Sequence, residues 1–168
     1  MNLNLKPYVE NQQPFHILEG LEISAIIMAM NRADDIGIYI HRPTIFTSIT
    51  GIPNEAFTSA IQKLIKAGYA IQGGGKYWFR HFISMNCGSG EGLLRNKILS
   101  VLLSKFANDA VGQELETEIL KAYPEIKNLV AQVKKGKRAK DVVKSIKIES
   151  HTTTAKPEPA NQEIEEPY

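Results

Sequence analysis

The sequence predicts an α+β protein in two parts: a small helix-and-hairpin domain, then a helical region that runs into a polar tail. Three observations carry this reading. Phe57, Ala60, Ile61, Leu64 and Ile65 recur at three- and four-residue spacing, the signature of a half-buried helix. Two β-rich runs, Tyr69 to Gln72 and Lys76 to Phe82, are joined by Gly73-Gly74-Gly75, a connector that permits the positive φ angles of a tight hairpin. Beyond residue 92 the apolar residues keep helical spacing and the β-prone runs stop.

Taken in order, residues 1–19 form an N-terminal arm. Pro7, Pro14 and Asn11-Gln12-Gln13 give it no periodicity, so an extended chain is expected. Gly20 opens a helix whose broad apolar face (Leu21, Ile23, Ala25, Ile26, Ile27, Ala29, Met30) implies burial, and Asp34, Asp35 and Gly37 terminate it. Ile38-Tyr39-Ile40 reads as a short strand. Pro43 suits the first turn of a helix over Thr44–Thr50, ended by Gly51. Pro53 and Asn54 start the best-defined helix, and Gly68 closes it. The first domain is thus 20–85, and the Gly/Ser-rich 86–92 is read as a linker. The helical region spans 93–149. Helices are expected around Leu93–Phe106, around Leu115–Leu120 and from Pro124, with an interruption at Gly136 inside a basic block. Residues 150–168 are rich in Thr, Pro, Glu and Asn with almost no apolar content, the composition of a disordered acidic tail.

Helix, short strand, helix, turn, helix, hairpin is the order of a winged helix. The stretch from Pro43 to Tyr69, with its turn at Gly51-Ile52 and its close at Ala67-Gly68-Tyr69, resembles the helix-turn-helix of bacterial and phage winged-helix proteins. It departs from them in placing Pro53 where a Ser or Thr commonly caps the recognition helix. The aromatic run Tyr77-Trp78-Phe79-Arg80-His81-Phe82 resembles the end of the N-terminal domain of phage replication-organiser and helicase-loader proteins. Those proteins place a winged helix before a separate partner-binding region. The resemblance implies a protein that binds double-stranded origin DNA and recruits a helicase or loader. Recruitment would fall to residues 93–133, whose apolar residues need a partner or self-association to cover them. Two other readings stay open: a transcriptional regulator that dimerises through its helical region, and a phage-encoded inhibitor whose winged helix binds protein.

Burial of the apolar face of the recognition helix leaves Thr58, Ser59, Gln62, Lys63 and Lys66 outward. Thr, Ser and Gln suit base edges in a major groove, and lysines suit phosphates. In the wing, Lys76 and Arg80 are candidate phosphate ligands, and Arg42 is another. Tyr77, Trp78 and Phe79 would serve as a stacking platform only if exposed, and strand alternation favours core packing for them. Net charge is +2, yet residues 124–149 carry eight Lys/Arg against three Asp/Glu. Lys134, Lys135, Lys137, Arg138 and Lys140 are the densest part, expected to attract a nucleic-acid backbone in a salt-dependent way. The modest charge of residues 1–90, seven Lys/Arg against six Asp/Glu, keeps the protein-binding alternative in play.

No catalytic constellation is visible. His16, His41, His81 and His151 are scattered, so neither a metal nor a cofactor is expected. The single Cys87 has no local nucleophile signature and excludes an internal disulfide. Cys87-Gly-Ser-Gly-Glu-Gly92 lacks the Lys-Ser/Thr ending of a phosphate loop. With neither a signal segment nor a membrane span in view, a cytoplasmic, non-enzymatic protein is expected.

Overall fold

The structure, a computed structural model, describes residues 15–87, 91–95 and 97–152. The expected arm over 1–14, the middle of the expected linker at 88–90, and the tail from 153 lie outside the described residues. Helices α1 (Leu21–Arg32), α2 (Pro43–Thr50) and α3 (Asn54–Lys66) alternate with β1 (Ile38–Tyr39), and the hairpin β2 (Ala70–Gly73) and β3 (Lys76–Phe79) follows. Then come α4 (Phe82–Cys87), α5 (Glu91–Arg95), α6 (Ile98–Ala107), α7 (Gln113–Ala122), α8 (Lys127–Lys134) and α9 (Ala139–Thr152). The three strands form an antiparallel sheet in the order β1-β3-β2, with Ile38 opposite Trp78 and Gln72 opposite Tyr77.

That sheet is the wall between two cores. Strand side chains alternate between faces, and here both faces are covered. Tyr39, Ala70 and Phe79 join α1–α3 in one core around Ile26, Met30, Phe46, Phe57 and Leu64. Ile38 and Trp78, with Ile71 at the edge, join the other, around Leu99, Leu102, Phe106, Leu115, Ile119 and Val130. Trp78 is fully buried and its indole N–H donates to the Ile36 carbonyl at 3.1 Å. No stacking platform results: Trp78 and Phe79 are core, and Tyr77 is half-buried.

Several local expectations change. Phe15 and Leu18 are buried, and Phe15–Ile17 form a 3-10 turn, so the last residues of the expected arm belong to the first core. The second hairpin strand stops at Phe79 rather than Phe82. Phe82 and Ile83 instead start α4 and turn inward, one into each core. Helix occupies both ends of the 86–92 stretch, where Ile83 and Leu93 anchor the flanking helices in the second core. The last helix continues to Thr152, past the expected boundary at 150. Most consequentially, the apolar residues of 93–133 are already covered. Leu93, Ile98, Leu103, Phe106 and Val133 are buried against the sheet and one another, so no partner is needed to shield them. The exposed aliphatic residues sit elsewhere, with Ile40, Ile45 and Ile49 at 53, 49 and 61% exposure on and beside α2.

Candidate nucleic-acid interface

Helix α3 is fixed at its start by a polar relay absent from the sequence reading. His41 stacks on Phe57 with ring centroids 3.9 Å apart, and its Nε2 lies 2.6 Å from Asn54 Oδ1. Its Nδ1 lies 3.2 Å from the Tyr39 hydroxyl. Both bonds fit one tautomer, in which Nε2–H donates to Asn54 and Tyr39 O–H donates to Nδ1. Burial raises the Tyr39 pKa, which keeps that proton on the hydroxyl. The signal for this relay was a polar residue bracketed by strand and helix, which spacing alone does not distinguish from a loop histidine.

The five candidate residues of α3 divide into two sets. Thr58, Gln62 and Lys66 are exposed, and the Thr58 hydroxyl donates to the Asn54 carbonyl at 3.1 Å. Ser59 and Lys63 instead lean toward α1, where Glu22 accepts from both, at 2.6 Å from Ser59 and 2.8 Å from Lys63. Lys63 is thus neutralised within the fold. The cations of and beside the hairpin are also engaged. Arg80 pairs with Glu118 of α7 at 3.0 Å, and the Lys76 ammonium donates to the Ala110 carbonyl. Gly74 N–H donates to Glu114 Oε2 at 3.0 Å, so α7 holds the tip of the hairpin.

The Lys63 and Arg80 pairs predict an acid limb in stability. Glu22 is held below the ordinary carboxylate range, first by the Lys63 hydrogen bond and then by Ser59. Glu118 is lowered too, first by Lys121 and also by Arg80. A carboxylate with a depressed folded pKa adds stability that is complete above its unfolded pKa and fades as pH falls through the folded value. Glu22→Gln combined with Glu118→Gln is therefore expected to flatten the fall of the urea midpoint below the ordinary carboxylate pKa. An unchanged acid limb would show that the pairs contribute nothing.

The basic block is shaped by a turn. Gly136, at φ +94°, ends α8: its N–H donates to Val133 O and Lys137 N–H donates to Gln132 O, closing the helix in a Schellman arrangement. Val133, Ala139 and Val142 anchor both sides of the turn in the core, which leaves Lys135, Lys137, Arg138 and Lys140 on the surface. Lys134 differs, pairing with Glu116 at 2.6 Å. Lys137 reaches only the neutral Gln132 side chain, at 3.0 Å, and Lys135, Arg138 and Lys140 have no side-chain partner among the described residues. Lys137, Arg138, Lys140 and Lys144 line an open cleft against the end of α6, with Asp141 its one carboxylate.

No known protein family matches the chain, and neither a curated protein nor a solved structure shows significant similarity to it. Among the described residues no cluster of His, Cys, Asp or Glu could hold a metal, and no helix is long and apolar enough to cross a membrane.

Proposed function

We propose that this is a winged-helix protein that binds double-stranded DNA, α3 being the recognition helix and the α8–α9 turn an auxiliary backbone clamp. More particularly, we propose a replication protein of the phage or plasmid type, which holds origin DNA and delivers a helicase or loader to it. Element order and the β1-β3-β2 sheet support the winged helix. The observation that carries DNA binding is the set of uncancelled cations at Lys135, Lys137, Arg138 and Lys140, left exposed while Lys63, Arg80 and Lys134 are each neutralised by a carboxylate. Thr58, Gln62 and Lys66 supply the exposed face of α3, and Ser59, Lys63 and Arg80, each engaged by a carboxylate, drop out of this interface.

The test is binding of a fluorescent random 20-bp duplex by the full chain and by Lys137→Glu/Arg138→Glu/Lys140→Glu. About a hundredfold weakening at low salt is expected from three lost phosphate contacts and the added repulsion. Equal affinity for both proteins would overturn the clamp.

One observation favours a second reading, that the molecule acts by binding protein. Ile45 and Ile49 lie one turn apart on α2 and are 49 and 61% exposed, in a helix that buries only Phe46. Ile45→Asp/Ile49→Asp is expected to leave duplex affinity intact under the DNA reading. If the chain binds no duplex at low salt, the protein-binding reading takes its place.

A further inference from the structure

We infer that the cleft between α1, the β1–α2 junction, the hairpin and α6 is a phosphate-binding site built jointly by the two halves of the molecule. Four cations from four separate elements line it: Arg32, Arg42, Lys76 and Lys105, with Asp34 the one carboxylate. Its volume is about 430 Å³, far more than the roughly 30 Å³ share of one water, so it admits a polyatomic ligand.

Three of the four cations in this cleft, Arg32, Arg42 and Lys76, have no carboxylate partner. Lys105 reaches Asp34 Oδ2 at 2.9 Å, and that is the only ion pair among the lining side chains. Lys76 and Arg32 are held by neutral groups, the carbonyls of Ala110 and Met28, with Arg32 Nη1 at 3.3 Å. Those bonds fix the side chains and leave their charge intact. The Arg42 side chain, exposed at the start of α2, has no hydrogen-bond or ion-pair partner among the described residues. One negative charge thus faces four positive ones. Lysines spread along a solvated helix face would not converge in this way, and each ammonium retains donors for a ligand.

Such a field selects a multiply charged oxyanion. A lone carboxylate would leave most of the positive charge unmatched, whereas a phosphoryl group supplies several oxygens for the Arg32 and Arg42 guanidinium groups and the Lys76 ammonium. The phosphate belongs either to a nucleic-acid backbone or to a free polyphosphate such as a nucleotide tail. The site uses neither the exposed face of α3 nor the α8–α9 turn, so it stands apart from the DNA-binding reading. Lys105 belongs to the helical region and the other three cations to the first domain, so an occupied cleft ties the two together.

The test is isothermal titration of the full chain with sodium tripolyphosphate. One saturable site is expected, weakened about tenfold by Arg42→Gln and similarly by Lys76→Met, as loss of one charge-assisted hydrogen bond implies. Lys127→Gln, which removes an exposed lysine away from the cleft, is expected to bind as wild type. Arg42 is a surface side chain whose loss leaves the cores intact, and circular dichroism checks that each variant is folded. Displacement of tripolyphosphate by a 20-bp duplex assigns the site to backbone phosphates, and absence of displacement assigns it to free polyphosphate. The site would be overturned by the lack of a saturable heat, or by Arg42→Gln and Lys76→Met binding as tightly as wild type. Failure of the chain to bind duplex, with Arg42-dependent tripolyphosphate binding retained, would remove the DNA reading and leave this site standing.

Discussion

Trp78→Ala is expected to cost about 3–5 kcal/mol and to melt both halves of the molecule together. Trp78 is fully buried on the face of the sheet toward α6 and α7, edge-on to Tyr123 with ring centroids 6.4 Å apart. Truncation leaves a cavity there and orphans the Ile36 carbonyl that accepts the indole N–H. Its strand neighbours Tyr77 and Phe79 face the other core, so a loosened β3 is felt on both sides. Native domains hold only about 5–15 kcal/mol in total, so the loss takes a large share of the stability. Urea denaturation followed by far-ultraviolet circular dichroism is the measurement, since the chain has one tryptophan and the variant none. A single transition at a much lower midpoint is expected. Two transitions, one at the wild-type midpoint, would show that the cores fold independently.

The second large effect is expected at Gly37, where β1 leaves the turn after α1. Its φ is +84°, and a Cβ added there would lie 2.5 Å from Phe82 Cβ and 2.6 Å from Phe82 Cγ. The backbone has little room to relax. Gly37 N–H donates to the Asp34 carbonyl, Asp34 Oδ1 accepts from Ile36 and Ile38, and the Gly37 carbonyl accepts from Phe79 N–H. Gly37→Ala therefore combines left-handed strain of about 1–2 kcal/mol with overpacking of about 1–3 kcal/mol. Thermal unfolding is expected to shift well downward, and an unchanged midpoint would mean that Phe82 and its helix yield freely.

Periodicity made the helices of the first domain legible, because the three- and four-residue spacing of Phe57, Ala60, Ile61 and Leu64 has one structural reading. The interruption at Gly136 was legible for the same reason, as a glycine between two apolar-anchored helices. The shared sheet was not. A strand as short as β1 shows no alternation to read, and Trp78 gives no sign of which core it enters until the helices of 93–133 are in place. The same long-range packing hid the fate of the candidate cations. Lys63 and Arg80 look like solvated basic residues until Glu22, 41 positions away, and Glu118, 38 positions away, are brought beside them. Local sequence names the charges, whereas tertiary contacts decide which remain uncancelled. The cleft of Arg32, Arg42, Lys76 and Lys105 falls under the same limit, since its members are dispersed over more than seventy positions.

The proposed duplex binding rests on exposed cations. The direct measurement is the salt dependence of random-duplex affinity for the full chain, beside Lys137→Glu/Arg138→Glu/Lys140→Glu. A linear fall of log affinity with log salt is predicted, steeper for the wild type by about 0.9 for each phosphate contact the variant loses. No binding at low salt, or the same slope for both proteins, would contradict it.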